Sequence, residues 1–269
     1  LTNDHNDKAL VHAKKFIPGD DVTDINWDFD TTDESQWNFL SDKIEFVDGK
    51  VRLKGVTTGA NISYISGGTD YFLALMTDGT VWVVGANSYG NLGIGNTTQQ
   101  TSWVQSNITG VSFISTGNTD DAVHSMAILT DGTVWGVGKN SHGQLGDDGT
   151  TQQTSWVQSN ITGVSSIICC RNRSMAVKTD GTVWGVGYNG DGELGIGNAT
   201  DQTSWVQSNI SGVASISCGK SHTMAILTDG TVKSAGYNGF GTLGIGNTTQ
   251  QTSWVTSNIT GVSSISCGT

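Results

Sequence analysis

The sequence contains the same segment of about 49 residues four times. Asp131, Asp180 and Asp229 lie in copies of the motif Thr-Asp-Gly-Thr-Val and are 49 residues apart, while Asp78 precedes Asp131 by 53 residues. A unit that recurs at such a period is typical of solenoids, propellers and other arrays. Each unit in an array buries its apolar faces against its neighbours, so the repeat constrains the fold more than any other feature.

A second motif, Gln-Thr-Ser-Trp-Val, keeps the same spacing, with its tryptophans at Trp103, Trp156, Trp205 and Trp254. In both motifs the spacing between the first and second copies is four residues longer than the later spacings. Aligning the copies places this insertion just after Gly117. Surface loops tolerate such insertions, so we expect a longer turn and intact strands.

Each unit contains about four short strands. Residues 212–226 show two apolar alternations that break at Cys218-Gly219, and Asp229-Gly230 is a typical hairpin turn. Thr231 to Gly236 predicts a third strand, and the tryptophan motif supplies a fourth after a Gly-rich excursion. Four antiparallel strands per repeat are typical of a propeller blade. The sequence therefore predicts an all-β fold, a β-propeller with four full repeats and a partial fifth.

The predicted repeats are bounded as follows: 55–109, 110–162, 163–211, 212–260 and a partial unit at 261–269. Residues 1–54 lack the repeat. Within them, Lys43 to Phe46 and Val51 to Leu53 flank Asp48-Gly49 and predict a β-hairpin. This N-terminal segment is interpreted as a cap, a linker or part of a lectin-like module, and these alternatives stay open.

The run from Ile216 to Gly246 resembles the repeat of the regulator of chromosome condensation family, in a bacterial or phage-like tandem version. That repeat combines Gly-x-x-His-Thr, an Asp-Gly hairpin, Gly-x-Asn-x-x-Gly and Leu-Gly. The resemblance covers about residues 55 to 269. The counterparts in the first three copies are Gly85, Asn87, Gly90, Leu92 and Gly93; Gly138, Asn140, Gly143, Leu145 and Gly146; and Gly187, Asn189, Gly192, Leu194 and Gly195.

The resemblance carries further implications. The family's histidine occurs as His124 and His222, but Tyr71 and Arg173 replace it in the other copies, so no shared catalytic or ligand role is expected. The family usually closes a ring of seven blades, so we expect this sequence to be a fragment of a longer chain. Its best-known member promotes guanine nucleotide exchange on a small GTPase, which gives one alternative function.

The formal net charge is −11, from 24 acidic and 13 basic residues. Proteins that bind phosphate backbones carry clustered Lys and Arg, so we expect no nucleic-acid partner. No apolar run approaches the roughly 18 residues needed to cross a bilayer, and no membrane span is expected.

The sequence shows no pattern of a catalytic or metal site. The Gly-rich segments lack Gly-Lys-Ser/Thr and open no helix, so they predict turns rather than nucleotide loops. The five histidines give no triad with a nucleophile and a carboxylate. The acidic run Asp28, Asp30, Asp33 and Glu34 lacks the Gly and terminal Glu of a calcium loop. We therefore expect no enzyme, no cofactor and no metal.

The four cysteines do not have the spacing of a zinc site. Cys169, Cys218 and Cys267 share one repeat position, and Cys170 is adjacent to the first of them. Equivalent positions in a sheet favour small buried apolar residues. Disulfides or a vicinal cysteine pair are the alternatives.

The tryptophans Trp103, Trp156, Trp205 and Trp254 are the candidate ligand or partner residues. Adjacent side chains in a strand point to opposite faces, so each Trp either packs against the next blade or forms an aromatic platform.

These observations predict a non-enzymatic module that presents a repeated surface to a protein or glycan partner. The charge-poor composition, rich in Ser, Thr, Asn and Gly, favours an extracellular, cell-surface or phage-particle location. The alternatives are a lectin with one sugar site per blade and the exchange factor named above.

Overall fold

A computed structural model describes the backbone of residues 44–47 and 50–53 and the full residues 60–117 and 123–268. These residues contain strands and turns but no helix. In the N-terminal segment, β1 (Ile44–Val47) pairs antiparallel with β2 (Lys50–Leu53), which confirms the hairpin. The insertion expected after Gly117 lies outside the described residues.

Each repeat forms one four-stranded antiparallel sheet, here called a blade, with its strands side by side in chain order. Blade 1 contains β3 to β6 (Ile62–Gly67, Tyr71–Met76, Val81–Gly85 and Gln100–Gln105). Blade 2 contains β7 to β10 (Val111–Thr116, His124–Leu129, Val134–Gly138 and Gln153–Ser159). Blade 3 contains β11 to β14 (Val164–Cys169, Arg173–Lys178, Val183–Gly187 and Gln202–Gln207). Blade 4 contains β15 to β18 (Val213–Cys218, His222–Leu227, Thr231–Gly236 and Gln251–Thr260).

The Asp-Gly turns between the second and third strands form as expected. Gly79 has a φ of 79°, a left-handed conformation that favours glycine. The Oδ1 atom of Asp78 accepts hydrogen bonds from the Thr80 amide at 3.0 Å and from the Thr80 hydroxyl at 2.7 Å. These bonds lower the pKa of Asp78 below its ordinary value. The same turn recurs around Asp131, Asp180 and Asp229.

The hydrophobic core is divided into layers, because consecutive blades bury their facing sides against each other. Between blades 1 and 2, Leu73 and Leu92 of the first pack with Ile114 and Trp156 of the second, all in one buried cluster. Equivalent clusters lie between blades 2 and 3 and between blades 3 and 4. A fourth cluster, which includes Phe72 and Trp103, covers the other side of blade 1.

The chain after blade 4 follows the repeat without forming a sheet. Residues 261–268 contain no strand, so the partial fifth blade is not confirmed. Cys267 nevertheless contacts Ser217 of blade 4, since its amide donates to the Ser217 hydroxyl at 3.0 Å.

Candidate functional site

The four candidate tryptophans lie in the fourth strand of each blade and are 7 to 8% exposed. Three of them make the same contact with the preceding blade, so the expected packing against the next blade is wrong in its direction. The indole N–H of Trp156 donates to the Ser106 hydroxyl of blade 1 at 2.9 Å, and that hydroxyl donates to the Leu92 carbonyl at 2.7 Å. Trp205 and Trp254 repeat the contact with Ser159 and Ser208.

Glycine makes room for each of these indoles. A Cβ on Gly93, Gly146 or Gly195 would overlap the ring of Trp156, Trp205 or Trp254, respectively. The close approach and the buried hydrogen bond favour packing between blades over an open platform. A ligand role for these tryptophans stays a prediction.

The loop between the third and fourth strands is built on a constant frame. In blade 1, Asn87 accepts a hydrogen bond from the Leu92 amide at 3.0 Å and donates to the carbonyls of Asn96 and Thr98 at 2.9 and 3.2 Å. The Asn87 side chain is 1% exposed, so it holds the loop from inside. The same bond to the leucine amide recurs at Asn140, Asn189 and Asn238.

Between these frame positions, the four loops carry different residues at the surface. Tyr89 and Tyr237 are each 37% exposed and Phe240 is 88% exposed, while Lys139, His142 and Tyr188 are half-buried. We call this set the loop row: Tyr89, Lys139, His142, Tyr188, Tyr237 and Phe240.

Cross-blade contacts order the loop row. The Lys139 ammonium lies 5.6 Å from the ring centroid of Tyr89 on the preceding blade. The His142 ring meets Tyr188 of the next blade edge-on at 5.3 Å, and its Nδ1 is 2.8 Å from Asp201 Oδ2. Asp201 also accepts a hydrogen bond from the backbone amide of Asn189 at 2.8 Å. This bond links His142, through Asp201, to the frame of the next loop.

Sequence reasoning missed the loop row, because it looked for chemistry that repeats. A signal was available: these positions vary between copies while the frame around them stays fixed. Other variable positions are buried, and their side chains form contacts between neighbouring blades.

The residues at the position of the family histidine make such contacts between blades. The Tyr71 hydroxyl donates to the His124 carbonyl of blade 2 at 2.8 Å, and His124 Nε2 lies 2.9 Å from the Ser174 hydroxyl of blade 3. Because Ser174 donates its hydrogen to the Gln144 carbonyl at 2.8 Å, Nε2 of His124 is the donor. The other ring nitrogen, Nδ1, is buried without a hydrogen-bond partner. Burial lowers the His124 pKa to about 3, with a smaller contribution from Lys139.

Arg173 occupies this position in blade 3. Its guanidinium is fully buried and donates to the carbonyls of Lys220, Gly219 and His222 at 2.9 to 3.0 Å. Glu193 Oε1 lies 3.9 Å from Nη1 of Arg173, and both side chains are 0% exposed. Burial raises the Glu193 pKa, while the charge of Arg173 opposes the shift. Arg173 and Glu193 both belong to blade 3, and the bonds from Arg173 to the three carbonyls of blade 4 join the two blades.

The cysteines act at the same boundaries. The Cys169 amide of blade 3 donates to Ser115 of blade 2 at 3.0 Å, and its buried thiol has a pKa raised to about 12. Blade 3 has Ile168 where blade 2 has Ser115, so it lacks that hydroxyl for blade 4. A disulfide between Cys170 and Cys218 joins the two blades instead, with 5.7 Å between the Cα atoms. The apolar interpretation therefore fits Cys169, while the disulfide alternative applies to Cys218.

The described residues contain no group of three or more His, Cys, Asp or Glu side chains placed to hold a metal ion. The acidic run at residues 28–34 lies outside them. No helix in this part of the chain has the length and apolar character of a membrane span.

Known proteins share both the repeat and the fold. A family described as "Regulator of chromosome condensation (RCC1) repeat" matches residues 62–91, 123–144 and 213–242, and a second profile of that description matches residues 180–226. No curated protein sequence matches the chain.

Three solved structures share the arrangement of blades. Human WBSCR16 has 23% sequence identity and a TM-score of 0.68 over 82% of this chain and 59% of its own. Prp20p from Saccharomyces cerevisiae has 18% identity and a TM-score of 0.68, over 82% of this chain and 57% of its own. Yeast RCC1 (Prp20) bound to Kap60 has 20% identity and a TM-score of 0.66, over 79% of this chain and 52% of its own.

Four-stranded antiparallel sheets that pack face to face in chain order define a β-propeller. The family matches and the structural neighbours support a β-propeller of regulator of chromosome condensation repeats. It spans between 52 and 59% of the length of these three structures. The bacterial or phage-like version stays a prediction.

Proposed function

We propose that this chain is a non-enzymatic protein-binding module and that its loop row contacts the partner. The observation that carries the proposal is the contrast within each loop: the frame is constant and buried, while the loop row combines different residues in each blade, with only Tyr188 and Tyr237 alike, at exposed or half-buried positions. Four copies of one frame thus present four different sets of side chains, which suits recognition of one specific partner.

The chemistry of the loop row supports a protein partner. Aromatic side chains are enriched among the residues that dominate binding energy at protein interfaces, and the loop row contains four of them. The contacts of Tyr89 with Lys139 and of His142 with Tyr188 order the row before binding, which lowers the entropy cost of association.

The relatives support the same class of function. The RCC1-repeat propeller fold suggests a protein-binding module, and Prp20p is characterised by its binding to Gsp1p and histones. Prp20 is also seen bound to Kap60. The repeated tryptophans do not favour a lectin with one sugar site per blade, because they are 7 to 8% exposed.

A selection from a displayed peptide library tests the proposal without a known partner. Peptides that bind the wild-type chain are re-tested against the Tyr89→Ser/Phe240→Ser variant, which changes one exposed residue at each end of the row. We expect most of them to bind this variant at least tenfold more weakly. Peptides that bind both proteins equally would place recognition elsewhere. Binding of sugars on a glycan array would favour the lectin instead, provided that it is lost in Trp156→Ala and Trp205→Ala while their thermal unfolding still shows a folded chain.

A further inference from the structure

The boundary between blades 3 and 4 lacks a hydrogen bond that the two preceding boundaries share. At each of those boundaries, a backbone amide of one blade donates to a serine hydroxyl of the preceding blade, at 3.1 and 3.0 Å: Thr116 to Ser66, and Cys169 to Ser115. Blade 3 has Ile168 at the serine position, so blade 4 finds no hydroxyl there. The disulfide between Cys170 and Cys218 is the link at this point instead.

The side chain of Cys170 occupies a position that is glycine in the other blades: Gly68, Gly117 and Gly219. A Cβ on Gly219 would overlap the ring of His222 in its own blade. Blade 3 has Arg173 at the position of that histidine, and its guanidinium extends to the carbonyls of blade 4. The extended arginine leaves room for a side chain at position 170, so the cysteine and the arginine belong to the same rebuilt boundary.

The two turns that follow these cysteines support two tyrosines of the loop row. The carbonyl of Asn172, two residues after the first cysteine, accepts a hydrogen bond from the Tyr188 amide at 2.9 Å. The carbonyl of Ser221, three residues after the second cysteine, accepts one from the Tyr237 amide at 2.8 Å. The disulfide therefore joins the two turns to which these parts of the loop row are attached.

We propose that this disulfide is a redox-sensitive link that holds Tyr188 and Tyr237 in the arrangement that binds the partner. The proposal rests on the function proposed above for the loop row. A thiol reductant breaks the S–S bond with two electrons and two protons, gives the thiols of Cys170 and Cys218, and is itself oxidised to a disulfide. No serine hydroxyl replaces the lost link, so the two turns become free to shift and binding weakens. The bonds from Arg173 keep blades 3 and 4 in contact, so we expect the reduced chain to stay folded.

Hydrogen exchange of the whole chain, before and after treatment with dithiothreitol, tests the link without a partner. We expect the amides of Tyr188 and Tyr237 to exchange at least about fivefold faster after reduction. The equivalent amides of blades 1 and 2 should not change, because the disulfide does not join those blades. They donate to carbonyls at the same position, each at 2.8 Å: Ala86 to Asp70, and Lys139 to Val123. Thiol titration in denaturant should count two thiols before reduction and four after it.

The peptides selected on the wild-type chain test the effect on binding. Reduction should weaken their binding at least about fivefold. Cys170→Ala/Cys218→Ala should bind them as weakly as the reduced wild type does, with no further effect of dithiothreitol. Cys169→Ala removes a thiol that is outside the disulfide and is the matched control. It should keep both the affinity of the wild type and its sensitivity to reduction.

Four free thiols in the chain purified in air would overturn the proposal. Unchanged exchange at Tyr188 and Tyr237 after reduction, or equal acceleration of all four amides, would also overturn it. Peptides that need the loop row, as shown by Tyr89→Ser/Phe240→Ser, but bind the reduced chain normally would refute the regulation and leave the binding surface in place. If the peptides bind that variant normally, the proposed function fails, and the exchange result still decides whether the disulfide orders the two tyrosines.

Discussion

The boundary between blades 2 and 3 and the boundary between blades 3 and 4 bury the same kind of core but are fastened differently. Both place a tryptophan on a glycine and a serine hydroxyl. The boundary between blades 2 and 3 also contains the neutral pair His124 and Ser174. The boundary between blades 3 and 4 instead contains the buried ions Arg173 and Glu193 and a disulfide. The repeat therefore fixes the packing geometry, while the polar contacts differ from one boundary to the next.

The largest expected effect comes from breaking the buried ion pair. Arg173→His gives blade 3 the residue of blade 2 but leaves Glu193 without its cation, which costs about 3 to 5 kcal/mol in unfolding free energy. Adding Glu193→Gln copies the His124 and Gln144 combination and should recover much of this loss. Urea unfolding of the two single variants and the double variant measures the coupling. Additive losses would show that the two residues act independently.

A matched pair of glycine substitutions isolates the tryptophan contact. Gly195 and Gly244 have φ values of 63° and 64°, so alanine is strained to the same degree at both positions. Only at Gly195 would the new methyl group also overlap a tryptophan. We expect Gly195→Ala to lower the unfolding free energy by about 1 to 3 kcal/mol more than Gly244→Ala does. Thermal unfolding measures both variants. Equal losses of stability would show that the contact between Gly195 and the indole does not contribute.

Acid should weaken the boundary between blades 2 and 3 through His124. Its pKa is about 3 in the folded chain, below the ordinary value of 6.5, so the unfolded chain binds the extra proton first. The stabilisation is complete above about pH 6.5 and is lost toward pH 3, by up to about 1.4 kcal/mol per pH unit. His124→Gln should flatten this part of the curve of unfolding free energy against pH. An unchanged slope would contradict a buried neutral His124.

The sequence predicted the parts of the fold that repeat. The strand from Thr231 to Gly236, the Asp-Gly turns and the N-terminal hairpin are confirmed, because alternation and turn residues are local signals. The Arg173–Glu193 pair and the partner of Cys218 were not predicted. The first contact joins a strand and a loop of blade 3 that are 20 residues apart, and the disulfide joins residues 48 apart across the boundary between blades 3 and 4, so neither follows from local sequence signals.

The candidate site could be predicted only in part. The tryptophan motif was recognised, but its alternation left open whether Trp205 faces the next blade or the solvent. The structure buries Trp205 against the preceding blade rather than the next one, with a hydrogen bond to Ser159. The loop row was hidden in the sequence because it consists of departures from the repeat rather than copies of it.

The most direct test of the account measures stability and binding on the same variants. Tyr89→Ser/Phe240→Ser should change the unfolding free energy by less than about 0.5 kcal/mol, as expected for exposed positions. It should nevertheless weaken the peptides selected on the wild-type chain at least tenfold. Ile259→Ser changes an exposed apolar residue of blade 4 outside the loop row; it is the control and should leave that binding unchanged. Unaltered binding by the loop-row variant, or a loss that only follows a fall in stability, would contradict the loop row as the recognition surface.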